Sequence, residues 1–376
     1  MKIVIALNTA WNLVNFRFNL IRAFVQEGYE VVAVAPFDEF AHGLSSLRCR
    51  FVALPMDNKG THPGRDALLL WRFYRLLHAE RPDVYLGYTV KPNVYGSIAA
   101  HALGIPVINN IAGLGAVFIK GGWLDRLVRW MYRTALSRSV RVFFQNNDDM
   151  KLFVSDGLVD VAVTDRLPGS GIDLDKFQPH PLPQSLLPIR FLLIARMLWD
   201  KGVGEFVEAA RILKKQKLDA EFCLLGFLDV QNPTAISKKQ MDQWVAEGII
   251  RYLGTSDDIR EEIIQADCIV LPSYREGVPR TLLEAAAMAR PIVTTNTVGC
   301  REVVDDGKNG YLCRVRDAAD LAEKMAKVAG MSSDERRAMG MQGREKVERE
   351  FDEKVVIEKY LQVIRLIANK YANRVI

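Results

Sequence analysis

The chain has 376 residues, more than a single hydrophobic core usually holds, so two domains are expected. Hydrophobic residues make up 49% and charged residues 25% of the chain, which excludes a disordered polypeptide and is typical of a globular enzyme. The 50 Lys and Arg residues exceed the 45 Asp and Glu residues by a net charge of only +5, too little to indicate nucleic-acid binding.

Short apolar runs alternate with amphipathic stretches in the first half of the chain. The predicted strands are Ile3–Leu7, Glu30–Ala35, Phe51–Leu54, Val84–Leu86, Val107–Asn109 and Val140–Phe144. The predicted helices are Phe16–Glu27, Arg65–Glu80, Asn93–Leu103 and Trp123–Ser137. This alternation predicts a parallel sheet covered by helices on both faces.

The same alternation restarts after a proline-rich linker at 178–188. The predicted strands are Arg190–Ala195, Glu221–Leu225, Ile249–Leu253, Cys268–Leu271, Pro291–Thr295 and Gly310–Cys313. The predicted helices are Gly202–Lys215, Lys238–Glu247, Asp257–Ala266, Arg280–Ala289 and a long tail from Ala318 to the end. Two doubly wound domains, 1–180 and 181–356, are expected to face a cleft at the carboxyl ends of their sheets, with a C-terminal helix at about 357–376 packing back on the first.

No stretch of about 18 apolar residues is free of charge, so no membrane-spanning helix is expected. The chain begins directly on a predicted strand, without the pattern of a signal peptide. Its five cysteines have no C-x-x-C spacing, which indicates neither a zinc site nor a disulfide framework. A reducing cytoplasm is therefore the expected location.

The segment 268–295 carries the most informative chemistry. A buried strand is followed by a loop with Glu276 and Gly277, and Pro279 can begin a helix because its missing N–H is not needed there. The free N–H groups of the first helical turn suit a phosphate or sugar hydroxyls. Glu284 lies one turn inside the helix, so both carboxylates can grip the hydroxyls of one ligand.

The spacing of Glu276 and Glu284 resembles the E-x7-E signature of retaining glycosyltransferases of family 4, which have the GT-B fold. Three further motifs match that family in the right order, and the four together cover essentially the full length of the chain. They are the strand-end pair Arg196 and Lys201, the D-G-x-N-G turn at 306–310, and the G-x-D…F pattern at 171–177. Within the family, the chain is most similar to the PglA-like bacterial N-acetylhexosaminyltransferases, which act on polyprenyl-diphosphate-linked sugars. That likeness rests on Phe16-Arg17, the Gly113-Leu-Gly115 loop and residues 195–203.

The resemblance implies a donor site in the second domain. Arg196 and Lys201 would hold the donor diphosphate, which agrees with the need for fixed cations as a nucleoside diphosphate departs. Glu276 would hold the donor hexose, beside Gly277, and Glu284 the ribose. The remaining donor-binding candidates are backbone groups: Thr281 and Leu282 as N–H donors to phosphate, and Tyr252 and Gly254 near the base.

The first domain is expected to bind the acceptor. The candidate acceptor-binding residues are Asn15, Arg17, Asn109, Asn110, Gly113 and Gly115. The chain departs from many relatives here, because it lacks their Gly-Gly pair after the first strand and has no histidine after the strand at 107–109. No catalytic base can therefore be assigned. A surface salt bridge is an equally good use of Arg17, and turn formation is the commoner use of Asn beside Gly.

No carboxylate presents itself as a nucleophile, and the resemblance favours front-side attack, in which the protein positions the reactants and stabilises charge. No cofactor is expected and a metal is not required, because the D-x-D spacing of Asp173 and Asp175 does not lie at a nucleotide-binding strand end.

A cluster of basic and aromatic residues at 120–141 is typical of a helix on an anionic membrane surface. The candidate membrane residues are Trp123, Arg126, Arg129, Trp130 and Arg133, and a second such stretch lies at 65–81. An ordinary sheet-covering helix with a solvated face remains the alternative. RNA binding is disfavoured because no stacking module is evident.

These features together predict a retaining glycosyltransferase, cytoplasmic and peripheral on the inner face of the inner membrane. It would move an N-acetylhexosamine from a UDP-sugar to a polyprenyl-diphosphate-linked sugar with an α linkage. UDP-GalNAc is the favoured donor, followed by UDP-GlcNAc, UDP-glucose and UDP-galactose. The alternatives are a GT-B nucleotide-sugar epimerase and a non-catalytic nucleotide-sugar-binding scaffold.

Overall fold

The computed structural model describes residues 1–57, 62–113, 123–183, 188–228, 230 and 232–372. The chain divides into two compact units, one formed by Met1–Ser170 with Lys354–Ile376 and the other by Gly171–Glu353. The prolines at 178–188 lie within the range of the second unit, after the change of unit.

The first unit is built on a parallel seven-stranded sheet. Its strands are β1 (Lys2–Ala6), β2 (Glu30–Ala35), β3 (Arg50–Ala53), β4 (Val84–Tyr88), β5 (Val107–Ile111), β6 (Arg141–Phe144) and β7 (Thr164–Arg166). They are ordered β3-β2-β1-β4-β5-β6-β7, so the chain reverses its direction of winding between β1 and β4. That switch point is where doubly wound sheets bind ligands, at the carboxyl ends of the strands.

Helices cover both faces of this sheet. They are α1 (Ala10–Gln26), α2 (Pro63–Glu80), α3 (Ser97–Ala102), α4 (Trp123–Leu136), α5 (Asn147–Ser155) and the C-terminal helix (Glu353–Ala372). Helix α1 and the C-terminal helix pack on one face with a 3₁₀ helix at Glu39–Leu47, whereas α2 to α5 pack on the other. Within the described ranges, no helix is both long and apolar enough to cross a bilayer.

The first helix begins at Ala10, six residues before its predicted start at Phe16. Two side chains explain the earlier start. Thr9 is the N-cap and accepts a hydrogen bond from Asn12 N at 3.1 Å. Asp38, which follows β2, accepts from Ala10 N at 2.9 Å and Trp11 N at 3.1 Å.

The second unit contains a parallel six-stranded sheet. Its strands are β8 (Ile189–Ile194), β9 (Ala220–Leu225), β10 (Arg251–Tyr252), β11 (Cys268–Leu271), β12 (Ile292–Thr295) and β13 (Gly310–Cys313). Its helices are α6 (Val203–Lys215), α7 (Lys238–Ala246), α8 (Ile259–Ile264), α9 (Arg280–Ala287), α10 (Cys300–Val303), α11 (Ala318–Ala329) and α12 (Ser333–Glu350). The strand order β10-β9-β8-β11-β12-β13 places the switch point between β8 and β11.

The prediction of one unbroken helical tail after Ala318 is wrong, because the tail forms three helices. Gly330 ends the first of them, and Ser332 begins the next with a capping box in which Ser332 and Glu335 satisfy each other's backbone N–H groups. A helix-favouring composition hid these local stop and start signals.

A buried arginine fixes the start of the proline-rich segment to the second unit. The guanidinium of Arg290 is fully buried and donates to four backbone carbonyls. Two of them, His180 O at 2.8 Å and Pro181 O at 3.0 Å, belong to the segment, and the others end α8 at Ile263 and Ile264. The predicted linker therefore begins as an anchored part of the second unit.

Candidate active site

The switch point of the second sheet brings together the residues after β8 and β11. Arg196 and Lys201 follow β8, whereas Ser273 and Glu276 follow β11. Because these two strands are hydrogen-bonded neighbours, residues far apart in sequence share one sheet edge. Three predicted catalytic residues, Arg196, Lys201 and Glu276, thus lie at the edge where doubly wound sheets bind ligands.

Lys201 and Glu276 form an ion pair across this edge, from Nζ to Oε1. The same carboxylate oxygen accepts a hydrogen bond from Ser273 Oγ at 2.7 Å. Both charged side chains are largely shielded, with 19% of the Lys201 and 14% of the Glu276 side chain exposed. The carboxylate is therefore held in one orientation by two donors.

Close backbone contacts fix the loops that carry these residues. A Cβ on Gly202, whose φ is +73°, would lie 2.1 Å from Pro272 O, so only glycine lets the two loops approach. Tyr274 N donates to Asp200 O at 3.0 Å, and Glu276 N donates to Val298 O at 3.1 Å. The position of Glu276 thus depends on the loops after β8, β11 and β12.

Arg196 differs from Lys201 because its side chain is exposed and makes no ion pair within the described residues. An exposed, unpaired guanidinium beside a shielded ion pair is available for an incoming anion. Among the described residues, Arg196 is thus unpaired, whereas Lys201 is paired with Glu276.

Helix α9 begins beside this edge with Pro279 as its N-cap residue. The N–H of Leu282, predicted to donate to phosphate, donates to Pro279 O at 3.1 Å in this structure. Thr281 N makes no such bond in the described part of the chain, and its residue is half-buried. A Cβ on Gly299 would lie 2.1 Å from the carbonyl oxygen of Gly277, so the loops that carry these two glycines pack tightly against each other.

Glu284 lies on α9 and is only 7% exposed. Its Oε1 accepts a hydrogen bond from Arg280 Nε at 2.9 Å, one helical turn away. Burial raises the pKa of the Glu284 carboxyl above its ordinary value, and the charges of Arg280 and Lys176 only partly oppose that shift. A buried carboxylate of this kind gains from ligand hydroxyls that hydrogen-bond to it.

Tyr252 and Gly254 lie at the end of β10, next to the loop after β9. Tyr252 Oη donates to Gly226 O at 2.8 Å, and Gly226 N donates to Gly254 O at 2.7 Å. A Cβ on Gly226 would lie 1.9 Å from Ala195 O, which ties this pair to the end of β8. The residues predicted near the base thus belong to the same sheet edge as Arg196.

Asn109, a predicted acceptor-binding residue, has a fully buried side chain that is hydrogen-bonded at both of its polar atoms. Asn109 Nδ2 donates to Asn93 Oδ1 at 2.9 Å and to Ser97 Oγ at 2.8 Å. Its Oδ1 accepts from Ser139 Oγ at 2.7 Å. Asn109 therefore joins β5 to the helices that cover it.

The other predicted acceptor residues differ in their exposure and position. Asn15 is exposed on α1 and donates to Trp11 O at 3.0 Å. Arg17 and Asn110 are buried, on the face of the sheet opposite Asn109. Gly113 follows β5 with a φ of +145°, whereas Gly115 lies outside the described residues.

Helix α4 presents part of the predicted membrane cluster to solvent. Arg126 and Arg133 are exposed, and Trp130 has 64% of its surface exposed between them. Arg129 does not join this face, because it is half-buried and pairs with Asp125 and Asp156. Trp123 is the first residue of the helix.

Sequence reasoning missed three residues that shape these edges. Asp38 accepts hydrogen bonds from the first two N–H groups of α1. Ser273 orients Glu276, and Glu205 accepts a hydrogen bond from Tyr274 Oη at 2.7 Å, which anchors the loop after β11. Asp38 follows β2, the neighbour of β1, and α1 follows β1. Because the carboxyl ends of adjacent parallel strands lie at one edge, the contact between Asp38 and the start of α1 could have been predicted.

Two sequence families match the chain. The family Glycosyl transferase 4-like domain matches residues 16–168, and the family Glycosyl transferases group 1 matches residues 188–330. Together these matches fall on both structural units.

Among characterised relatives, the N,N'-diacetylbacillosaminyl-diphospho-undecaprenol alpha-1,3-N-acetylgalactosaminyltransferase of Campylobacter jejuni is 27% identical. The alignment covers 98% of this chain and 100% of that enzyme. The UDP-Gal:alpha-D-GlcNAc-diphosphoundecaprenol alpha-1,3-galactosyltransferase of Escherichia coli is 25% identical, over 74% of this chain and 72% of that enzyme.

Solved structures with this architecture include sucrose-phosphate synthase from Thermosynechococcus elongatus, with a TM-score of 0.81 and 17% identity over 98% of this chain and 100% of that one. Anabaena HepE in complex with UDP and glucose gives a TM-score of 0.79 and 16% identity over 97% of this chain and 99% of that one. At such low identity the likeness concerns the fold alone, and it confirms the predicted GT-B class of two parallel-sheet α/β domains.

Proposed function

The chain belongs to the glycosyltransferases that combine a 4-like domain with a group 1 domain, and we propose that it transfers a sugar from a UDP-sugar to a polyprenyl-diphosphate-linked sugar. The observation that carries this proposal is the shared sheet edge of Arg196, Lys201 and Glu276. Two cations and an oriented carboxylate, beside the buried Glu284, suit a nucleotide diphosphate joined to a hexose.

The donor sugar proposed first is N-acetylgalactosamine. The Campylobacter relative aligns with nearly the whole chain, and its name specifies N-acetylgalactosamine transfer to a diphospho-undecaprenol-linked sugar. The Escherichia coli relative is named for galactose transfer from UDP to a similar lipid-linked acceptor. UDP-galactose, UDP-GlcNAc and UDP-glucose are therefore the competing donors.

In the proposed reaction, the bond between the donor C1 and the diphosphate breaks while an acceptor hydroxyl oxygen attacks from the same face. The donor phosphate oxygen takes the hydroxyl proton, so UDP leaves and an α linkage forms with retention. Arg196 and Lys201 stabilise the charge that develops on the diphosphate. Glu276, released from Lys201, holds the hexose, and Glu284 holds the ribose.

The ion pair gives Lys201 a resting partner before the donor arrives. When a diphosphate binds, Lys201 gains a doubly charged partner and Glu276 gains sugar hydroxyls, so both charges remain compensated. The proposed chemistry uses these protein groups without a cofactor, and a metal is not required.

We also propose that the enzyme works on an anionic membrane surface, where a polyprenyl acceptor resides. Helices α2 and α4 cover the same face of the first sheet. Helix α4 exposes Trp130 between Arg126 and Arg133, and α2 exposes Trp71 at 53% with the Arg75 guanidinium 4.9 Å from its ring centroid. Exposed aromatic and basic residues on one face suit the headgroup region of a bilayer.

A UDP-release assay tests the proposal. The four UDP-sugars are each supplied with and without a polyprenyl-diphosphate-linked N-acetylhexosamine, in the presence and absence of EDTA. We expect release that depends on one donor and on the lipid acceptor, with no loss in EDTA, and an α-linked product by NMR. UDP-sugar binding without acceptor-dependent release would indicate an epimerase or a scaffold instead.

A further inference from the structure

A buried arginine in the first unit has no anionic partner. Arg17 is 5% exposed, and no carboxylate lies within ion-pair distance of it among the described residues. Its Nη1 donates to Phe16 O at 3.1 Å, while its buried Nε has no acceptor. A desolvated charge with unused donors is costly, so it indicates a ligand that supplies the missing acceptors.

Aromatic side chains surround this guanidinium. Arg17 Cζ lies 4.4 Å from the ring centroid of Tyr88, the last residue of β4, and the Tyr88 ring lies 6.1 Å from that of Tyr360 on the C-terminal helix. Burial raises the pKa of both tyrosines above the ordinary value. Both phenols are therefore neutral at physiological pH and cannot serve as the counter-ion of Arg17.

The next strand adds a free acceptor. Asn110 pairs with Tyr88 in the sheet, and its Nδ2 donates to Tyr360 Oη at 2.9 Å. Its Oδ1 is buried without a hydrogen-bond partner in the described part of the chain. The cluster of Arg17, Tyr88, Asn110 and Tyr360 therefore offers cationic donors together with two unused neutral groups, Asn110 Oδ1 and the Tyr88 hydroxyl.

The cluster lies at the end of β4, which borders the switch point of the first sheet. The other anion-binding feature of that edge, the start of α1, is already occupied by the carboxylate of Asp38. Arg17 is thus the cation at this edge that remains without an acidic partner among the described residues.

We propose that the cluster of Arg17, Tyr88, Asn110 and Tyr360 binds the glycosyl phosphate of the lipid-linked acceptor. Arg17 donates to the phosphate, and Asn110 Oδ1 accepts from a hydroxyl or amide N–H of the attached sugar. This inference rests on the proposed function. A phosphate can also come from the donor, but Arg196 and Lys201 in the second unit already serve that diphosphate.

The test compares Arg17→Gln and Arg17→Lys with Arg22→Gln in the full chain. Arg22 is the matched control, because it is exposed on the same helix and stacks on Phe18 with its Cζ 5.1 Å from the ring centroid. We expect Arg17→Gln to raise the KM for the lipid-linked acceptor by about 10- to 100-fold, the value of a charged hydrogen bond. Arg17→Lys should recover part of this loss, and the KM for the UDP-sugar should stay unchanged in all three variants.

A second substrate separates the two sources of phosphate. An alkyl glycoside of the same acceptor sugar lacks the diphosphate, so Arg17→Gln should use it as well as the unsubstituted enzyme does. A rise in the KM for the UDP-sugar would assign the phosphate to the donor and overturn the proposal. A lower melting temperature with unchanged KM values would make Arg17 purely structural and would also overturn it.

The inference can fail separately from the proposed function. If the unsubstituted enzyme transfers no sugar, the proposed function fails, and inorganic pyrophosphate becomes the probe. Because pyrophosphate can also bind at Arg196 and Lys201, the measure is the part of its protection against thermal unfolding that a substitution removes. A smaller protection of Arg17→Gln than of the unsubstituted protein and of Arg22→Gln supports the site. Equal protection of all three proteins, or protection of none, rejects it.

Discussion

Asp38 accepts a hydrogen bond from the backbone N–H of Ala10 at 2.9 Å, and so supplies from another loop a negative charge at the start of α1. The same oxygen accepts from Trp11 N. Two otherwise unpaired N–H groups and the positive end of the helix dipole are thereby satisfied within the protein.

Replacing Asp38 with alanine should therefore destabilise the first unit. We expect Asp38→Ala to lower the free energy of unfolding by about 1–2 kcal/mol, the cost of a lost cap and dipole partner. Urea unfolding with hydrogen exchange of the α1 amides would measure it. Asp160→Ala is the control, because its exposed side chain accepts from Ala162 N at 2.9 Å in a short 3₁₀ turn, and its loss should cost less than about 0.5 kcal/mol.

Lys201 should be essential for turnover but not for folding. Lys201→Met removes the second of the two proposed diphosphate-binding cations and leaves Glu276 without its ion-pair partner, so we expect kcat to fall by about 10²- to 10³-fold. Lys214→Met is the control, since Lys214 is exposed on α6 and donates to the backbone carbonyl of Gly248. Steady-state transfer kinetics with UDP binding by calorimetry would measure both. Unchanged kcat in Lys201→Met would remove Lys201 from the proposed mechanism.

Features encoded locally could be predicted from the sequence. The alternation of apolar strands and amphipathic helices predicted both parallel sheets, and the spacing of Glu276 and Glu284 predicted the family that the sequence matches confirm. The strand-end positions of Arg196 and Lys201 followed from the same periodicity, because the residue after a buried parallel strand emerges at the ligand-binding edge. Their roles in catalysis stay predictions.

Features that depend on contacts distant in sequence could not be predicted. Asn109 resembles a loop ligand in the sequence, but Asn93, Ser97 and Ser139 bury it in a hydrogen-bond network. The early start of α1 depends on Asp38, which lies after the next strand. Hydrogen bonds of this kind leave no periodic pattern in the sequence, because the order of the strands in the sheet is what brings the two partners close together.

Protonation of Glu284 should weaken uridine binding at acid pH. Because burial raises its pKa above the ordinary 4.5, the folded protein takes up a proton there at a higher pH than the unfolded chain does. This carboxylate therefore costs stability above the folded-state pKa, and protonation relieves that cost as the pH falls through it. The protonated form accepts ribose hydroxyls less well, so uridine affinity should fall over the same window.

Calorimetry with uridine measures this, because uridine has no phosphate to titrate. We expect the affinity of the unsubstituted protein to fall as the pH is lowered through the raised pKa of Glu284. We expect Glu284→Gln to bind about 10-fold more weakly at neutral pH and to lack this pH dependence. 2′,3′-Dideoxyuridine lacks the 2′- and 3′-hydroxyls of the ribose and should bind the two proteins equally. If the uridine affinity of Glu284→Gln still falls at acid pH, the group that titrates is not Glu284.

Arg290 should be a major stabilising residue of the second unit. Burial lowers its pKa to about 10, so it stays charged at neutral pH while donating to His180, Pro181, Ile263 and Ile264. Arg290→Met leaves these carbonyls without their donor, and we expect a loss of about 3 kcal/mol or more in unfolding free energy.

Urea unfolding followed by Trp244 fluorescence reports on this unit, since Trp244 is buried in its core. Arg349→Met is the matched control, because Arg349 is exposed and pairs only with its neighbour Glu350, so the change should cost less than about 0.5 kcal/mol. Equal losses in the two variants would contradict an anchoring role for Arg290.

The exposed face of α4 should bind anionic vesicles through both charge and the indole. We expect Arg126→Gln and Arg133→Gln each to weaken binding to phosphatidylglycerol-containing vesicles about fivefold, since each arginine near such a surface contributes about 1 kcal/mol. Trp130→Ser should weaken binding in high salt as well, because its contribution is apolar. Arg22→Gln is the control: it removes an equally exposed arginine from α1, which covers the opposite face of the sheet. Vesicle co-sedimentation measures all four variants, and equal losses for Arg22→Gln and Arg126→Gln would mean that net charge, not this face, governs binding.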